Sequence, residues 1–542
     1  MEGEFDYVIV GAGSSGSVLA ERLSADGRAR VLVLEAGGSD RRFFVQMPLG
    51  YGKLYYDPKV NWCYRAEPDP GLAGQSDYWP RGKVMGGSSS INAMVWIRGH
   101  PSDYEDWRAA GNPGWGWQEA RAAYRAIEDC EDGADDWRGQ GGPLFIRSSR
   151  VPAHRLVEPF LTACEGIGLP RNRDFNGAEQ EGAGIYQLTI HGRRRNSAAR
   201  AFLRPALKRA NVALRCHAHA TRVLFEGRRA VGVQYRWRGR DMVARTAPGG
   251  EVILAGGAIN TPQLLMLSGI GAGAALQALG LPVVLDQPNV GAHLADHQGI
   301  NYTYRMRVPT LNDLLRPWWG KLLVGLRYLV TGGGPLGVSI NHAGGFFRTD
   351  PALARPNMQL YFQAFSTLIQ RDGERPVLNP DPFSGLSLGL SNCRPTSRGR
   401  IELTSPDPLA PPRIFANALS TDHDITEMLV AVKTLRRIAA AQPLAGLIAE
   451  ELRPGPAVQG DAALIDDIRA RAGTVFHPSC TARMGADPAQ AVVDARLRVH
   501  GLEGLRVCDA SAFPALIGGN TNAPAILMGW IGAEKMLQDR RN

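Results

Sequence analysis

DYVIVGAGSSGSVLAERLS, Asp6–Ser24, and VLVLE, Val31–Glu35, are the stretches that decide the fold. The unbroken apolar run through Val10 predicts a short strand buried on both faces. Gly11-Ala12-Gly13-Ser14-Ser15-Gly16 follows at once, and Val18, Leu19 and Leu23 then suit one face of a helix. Val31–Leu34 predicts a second strand, ending at Glu35. A strand, a GxGxxG turn, a helix and a strand closing on an acid form a dinucleotide-binding unit. The glycines allow the tight turn and close backbone approach to a pyrophosphate, and the helix N-terminus presents free N–H groups to it. An acid at the end of the second strand takes a ribose diol and argues against a 2′-phosphate, hence against NADP, while leaving NAD and FAD open.

Further along, Arg81–Asn92 (RGKVMGGSSSIN) reads as a polar glycine loop running into a helix. EVILAGGA, 251–258, predicts a strand closing on Gly256-Gly257, followed by a helix with Pro262 at its first position. LRVCDASAFP predicts a strand ending at Asp509, and GGNTNAPAILMGW a loop feeding a helix with Pro524 in its first turn. Elements from both ends of the chain thus fit one nucleotide-binding sheet with the middle inserted.

Composition narrows the class. The 542 residues are 44% hydrophobic with mixed charge, which excludes disorder, and the 64 glycines have no three-residue period, which excludes collagen. The net charge of +9 is mild for this length, and only 7 of the 61 basic residues are lysines. Arg193-Arg194-Arg195 reads as a solvated or ion-paired loop, and no nucleic-acid module is present. Seven scattered cysteines without CxxC spacing suggest a reduced chain. With no cleavable leader in MEGEFDYVIVGAG and no membrane-length apolar run, the expectation is a soluble, cytoplasmic protein with no transmembrane segment. Cys216, His217 and His219 sit in VALRCHAHATRVLF, which alternates like one half-buried strand, so no metal is expected there. WWGKLLVGLRYLV, from Trp318, is amphipathic. It reads as a core-facing helix rather than a lid or a membrane contact.

Five blocks in order resemble the glucose–methanol–choline (GMC) flavoprotein oxidoreductases, in their bacterial choline-dehydrogenase-like branch. These are DYVIVGAGSSG with VLVLEAG, RGKVMGGSSSINAMVWIRG, DFNGAEQEGAG with NSAARAFLRPA, EVILAGGAINTPQLLMLSGIG, and HPSCTARMG with LRVCDASAFPALIGGNTNAP. The resemblance implies an α/β (α+β overall) fold: a Rossmann-like FAD-binding domain over 1–150, 193–300 and 476–542, interleaved with an antiparallel-sheet substrate domain over 151–192 and 301–475. RGRIELTSPDP looks like a strand of the latter. Carried over by position, Gly11, Gly13, Gly16, Glu35 and Ala36 hold the adenosine diphosphate part of FAD. Gly86, Gly87, Ser88, Asn92 and Ala93 run beneath the flavin ring, and Val223, Gly256, Asp509, Ala510, Asn520 and Thr521 complete the cofactor site. Ile91 stands where some members carry the histidine that tethers flavin, so the resemblance implies non-covalent FAD.

Alcohol oxidation by flavin moves a hydride from carbon to N5 and a proton from oxygen to a base, for which histidine is best suited. The resemblance places that base at His477 and a second group on the same oxygen at Asn520, just before a helix whose positive end suits a reduced flavin. The expected reaction is oxidation of a primary alcohol to an aldehyde, the partners being that alcohol and an electron acceptor, oxygen or a quinone or other carrier. An oligomer is possible. Asp296-His297 reads as structural. GINYTYRMRVPTLN offers Arg305 and Arg307 but no acid, which lowers choline as substrate, although Tyr361, Phe362 or Phe476 could face a cation. The alternative is an FAD-containing lyase of the same family, a hydroxynitrile lyase or a fatty-acid photodecarboxylase, the latter suggested by Cys393-Arg394-Pro395.

Overall fold

In the computed structural model, which describes residues 3–148, 154–367 and 379–541, Phe5–Val10 is a central strand of a seven-stranded sheet. Five strands run parallel in the order 212–216, 31–35, 5–10, 240–254 and 505–507. Val8 lies opposite Leu32 on one side and Val252 on the other, and Val252 in turn pairs with Leu505. All four residues are buried, as expected of a parallel sheet covered on both faces. The strand near the C-terminus therefore completes a sheet begun by the N-terminus.

The Ser14–Leu23 helix crosses from the first strand to the second. Its approach is too close for side chains: a Cβ on Gly16 would lie 1.9 Å from the Gly11 carbonyl oxygen, and Gly11 has φ +106°. The helix packs against the Asn522–Arg541 helix, where Ser15 Oγ donates to the Ala525 carbonyl at 2.6 Å.

Several local readings change. The strand predicted at 251–254 begins at Arg240; its outer half pairs antiparallel with Arg229–Trp237, exposing Arg240, Asp241, Val243 and Arg245 while Ala244 is buried. VALRCHAHATRVLF is two strands, Val212–Cys216 and Ala218–Glu226, broken where His217 adopts φ +57° and donates its N–H to Gly37. Pro262 lies inside the Gly257–Leu267 helix instead of at its start. The carbonyl it leaves without a helical partner, that of Ala258, accepts from Thr481 Oγ1 at 2.7 Å. The glycine segment forms only a 3₁₀ turn, Gly87–Ser90, because Ser89 and Ser90 donate their hydroxyls back to the Gly86 and Met85 carbonyls. Arg195 is no solvated loop residue. It is buried beneath that segment, donating to Asn92 Oδ1 at 2.7 Å and to the Ser89 and Val45 carbonyls.

The second large sheet is antiparallel throughout, in the order 448–453, 298–306, 385–392, 358–363, 343–347 and 182–185, with 473–474 beside the start of 298–306. Met358–Gln363 shows how it is sided. Met358, Leu360 and Phe362 enter an apolar core with residues of the Asp422–Ala440 helix, while Tyr361 and Gln363 reach a cavity on the other face. RIE, 400–402, does not join this sheet: it pairs only with Arg413–Phe415, and Ile401 and Ile414 enter the core of the first sheet. The Trp318–Thr331 helix is not core-facing, since only Gly320, Val324 and Tyr328 are buried. The expected domain boundary between 150 and 151 lies outside the described residues.

Thr481→Val, close in shape but lacking the hydroxyl, leaves the Ala258 carbonyl unpaired. A loss of about 1–3 kcal/mol is expected, measured as a lower midpoint in a urea titration.

Candidate active site

A cavity of about 1420 Å³ opens at the C-terminal ends of the parallel strands and is closed on the far side by the antiparallel sheet. Gly11, Gly13, Glu35, Ala36, Gly87, Ser88, Asn92, Ala93, Gly256, Asp509, Ala510, Asn520, Thr521 and His477 all line it. The Ser14–Leu23 helix begins at its wall with no side-chain cap and no acid in its first turn, so its amides and positive end face an anion-sized space. A Cβ on Gly87 would lie 2.7 Å from Gly13 Cα, so the floor is kept clear by missing side chains. Glu35 accepts from Ala12 N–H at 2.9 Å and Gly37 N–H at 2.8 Å; burial pushes its carboxyl up to about 7 against the pull of those bonds. These features fit an extended dinucleotide.

Three expected cofactor residues do not line the cavity. Gly16 and Gly86 act at one remove, as close-packing positions; Gly86 has φ +86°. Val223 lies deeper in its strand with its N–H given to Ser268 Oγ at 2.9 Å. From that strand Ala218, His219 and Ala220 reach the cavity instead, His219 standing edge-on to Trp62 with a ring nitrogen 3.0 Å from the Pro408 carbonyl.

Toward the antiparallel sheet, one chain of hydrogen bonds sets the chemistry. His477 Nδ1 lies 3.0 Å from His297 Nδ1, and His297 Nε2 lies 3.1 Å from the Cys393 carbonyl oxygen. A carbonyl only accepts, so His297 carries its proton on Nε2. His297 is fully buried, and burial pulls it down to about 4, so at neutral pH its Nδ1 is a bare lone pair. His477 must therefore donate from Nδ1, which leaves its Nε2 unprotonated. That nitrogen is 3.2 Å from Asn520 Nδ2. The Asn520 orientation follows in turn: Tyr361 donates its hydroxyl to Gln359 Oε1 at 2.9 Å, and Gln359 Nε2 donates to Asn520 Oδ1 at 3.1 Å. Five side chains thus point their hydrogens one way, from Tyr361 to the Cys393 carbonyl, and at the cavity wall this leaves a basic nitrogen beside an amide donor.

Burial, then His297, then Arg81 hold His477 well below the usual histidine value. Its backbone N–H is fixed by Asp296 Oδ1 at 2.8 Å, and Asp296, also bonded to Thr474 Oγ1, is raised by burial to about 7. The reading of Asp296-His297 as merely structural is therefore corrected: the pair holds and orients His477. Gln359 was missed as well. Its signal was the alternation of MQLYFQ, in which every second residue is polar.

Other candidates fall away. Arg305 is exposed and pairs with Glu450 at 2.7 Å, and Arg307 is exposed, bonding to the Ile448 carbonyl. Phe362 faces the core, stacked on Phe160 at 4.6 Å, whereas Tyr361 and Phe476 line the cavity. Arg394 is bonded to Asp103 at 2.8 Å and does not line the cavity. Among the described residues no cluster of three or more His, Cys, Asp or Glu could hold a metal ion.

Two family models cover most of the chain: the N-terminal domain model of the GMC oxidoreductases matches residues 5–299 and the C-terminal one 395–529. An alcohol dehydrogenase [acceptor] of Pseudomonas putida is 43% identical over 532 residues, spanning 98% of this chain and 95% of its own. The mitochondrial choline dehydrogenase of Homo sapiens is 42% identical, spanning 97% and 88%. The crystal structure of pyridoxine 4-oxidase from Mesorbium loti superposes with a TM-score of 0.89 at 32% identity, covering 98% of this chain and 99% of that one. With this agreement along its whole length, the chain belongs to the GMC oxidoreductase family and is an FAD-dependent oxidoreductase acting on CH–OH groups.

Proposed function

We propose that this enzyme oxidises an uncharged primary alcohol to its aldehyde, with His477 as general base and Asn520 as the partner of the reacting oxygen. The observation that carries this is the directed chain from Tyr361 to Cys393, which leaves His477 Nε2 as a lone pair facing an amide N–H. A hydroxyl entering between the two donates its proton to Nε2 and accepts from Asn520 Nδ2. One alcohol oxygen is then held by both groups, which fixes the carbinol C–H direction. Bound FAD supplies the two-electron acceptor for that hydrogen. His477 becomes an imidazolium whose Nδ1–H already has an acceptor in His297, so the charge forms without leaving an unpaired buried donor. As in other base–orienter pairs, the third group holds the tautomer.

Gly11, Gly13, Glu35 and Ala36 are assigned to the adenosine diphosphate end of FAD, and Gly87, Ser88, Asn92, Ala93, Gly256, Asp509, Ala510 and Thr521 to the flavin end, with Gly16 and Gly86 serving them through close packing. The Asn522–Arg541 helix, whose first turn has no acid and includes cavity-lining Asn522 and Ala525, would stabilise negative charge on reduced flavin. Non-covalent attachment is supported by Ile91, which sits in an apolar cluster with Val45, Leu54, Val60 and Val84. The division into FAD and substrate domains given above is supported by the separate strand sets of the two large sheets, with two exceptions: the strand Gln298–Met306 crosses the 300/301 boundary, and the pair 400–402 and 413–415 packs on the first sheet. A reducing, cytoplasmic setting is supported by seven free cysteines. An uncharged substrate is supported by the carboxylates of the cavity, since its aromatic lining, Tyr51, Tyr361, Phe365 and Phe476, suits a cation as well as a neutral alcohol. Those carboxylates, Glu35, Asp77 and Asp509, already accept backbone N–H bonds.

His477→Ala is expected to retain flavin absorbance and lose alcohol-dependent flavin bleaching by about 10²–10⁴-fold; bleaching at the wild-type rate would refute the assignment. Because His477 is depressed below 6.5, the protonated, inactive form dominates only at acid pH. Accordingly, kcat/KM should rise with pH through a value below the ordinary histidine range and then stay level with respect to this group across neutrality. His297→Leu removes the acceptor of the Nδ1 proton and should lower kcat by roughly 10²-fold or more, changing that acid limb while flavin stays bound. Choline should be turned over with much lower kcat/KM than an aromatic or aliphatic primary alcohol, read by anaerobic bleaching.

A further inference from the structure

The Trp318–Thr331 helix carries an apolar face that no described residue covers. Of thirteen large apolar side chains well exposed among the described residues, eight fall within 314–330. Trp318 is 75% exposed and Val330 76%, and Trp319, Leu322, Leu323, Leu326 and Leu329 are each about half exposed. At 100° per residue these seven helical positions occupy one arc of about 140°. Gly320, Val324 and Tyr328, the buried positions, lie on the opposite side. Lys321 flanks the apolar arc on one edge and Arg327 on the other, both exposed. Tyr328 fixes the helix by donating to the Arg193 carbonyl at 2.7 Å, which places exposed Arg193 and Arg194 at its C-terminal end, and exposed Arg316 precedes it. No Asp or Glu occurs from 314 to 349.

We propose that this helix is a docking surface for an anionic lipid bilayer. Its 14 residues span about 21 Å, too short to cross roughly 30 Å of hydrocarbon, so the helix lies flat. Its apolar arc enters the acyl boundary, the two tryptophans sit at the interface, and Lys321 and Arg327 reach up their stems to phosphates. The charge pattern selects lipid over a second copy of the chain: both edges are basic, so any pairing of two such faces sets like charges against each other. The same segment leads to the active site, because the chain leaving the helix supplies Ile340 and Asn341 to the cavity wall. Docking thus holds one wall of the alcohol cavity close to the membrane surface.

The test is sedimentation of the FAD-loaded enzyme with vesicles of phosphatidylcholine alone or mixed with phosphatidylglycerol. Wild type should pellet with the mixed vesicles, less so in high salt, and weakly with neutral ones. Leu322→Glu with Leu326→Glu should lower vesicle affinity about tenfold or more, and Lys321→Glu with Arg327→Glu should abolish the preference for the anionic mixture. Both variants touch only exposed positions, and retained flavin and turnover of a water-soluble alcohol with a soluble dye verify folding. The proposal is overturned if wild type fails to pellet with either vesicle, or if both variants bind as wild type does. It is equally overturned if sedimentation velocity finds a dimer that the leucine variant dissolves while vesicles bind nothing.

Discussion

The strand Arg240–Leu254 is the constraint on which the rest of the architecture depends, because three parts of the chain hydrogen-bond to it. Its inner half holds Phe5–Val10 on one side and Leu505–Val507 on the other, and its outer half carries the antiparallel pair Ala218–Glu226 and Arg229–Trp237. Parallel neighbours cannot be joined by tight turns, so each pairing requires a long crossover, and the crossover from this strand to Leu505–Val507 includes most of the second sheet. Asp509 ties the arrangement at its open end. It follows the last strand and accepts from Gly257 N–H and Thr261 Oγ1 of the Gly257–Leu267 helix, which leaves Arg240–Leu254.

The active site inherits this geometry. His477 arrives on a loop just after the antiparallel sheet, Asn520 on a loop before the last helix, and His297 immediately before a strand of the second sheet. Each sits on an irregular segment anchored by a regular one, and none is adjacent to another in sequence. Burial does two jobs there. It keeps His297 and His477 neutral, and it makes every unpaired donor expensive, so the hydrogen bonds settle into one direction. A fixed tautomer is a consequence of that economy of donors, with the Cys393 carbonyl as the terminal acceptor.

Where the sequence reading erred, local pattern was outvoted by neighbours. Pro262 reads as a helix start because proline is favoured at the first helical position; Thr481, more than two hundred residues away, supplies the hydrogen bond that lets the helix begin earlier. Arg195 looked like part of a solvated basic run, yet it alone turns inward, because the Gly86–Asn92 segment offers it Asn92 Oδ1 and two carbonyls. The tryptophan-rich helix looked core-facing because its hydrophobicity suited burial. Only the packing reveals that its small face, Gly320, Val324 and Tyr328, is the one buried.

By itself the sequence determined the nucleotide-binding unit and the glycines that keep its floor clear, and through its resemblance to the GMC oxidoreductases it singled out His477 and Asn520 as the candidate pair. Strand periodicity, glycine spacing and the acid at Glu35 are local properties, and local properties are written in order along the chain. Only the tertiary structure decided which nitrogen of His477 is basic, that His297 and Gln359 belong to the site, and which face of the Trp318–Thr331 helix meets solvent. Those depend on which atoms lie within hydrogen-bond reach or out of water's reach after residues hundreds of positions apart have been brought together.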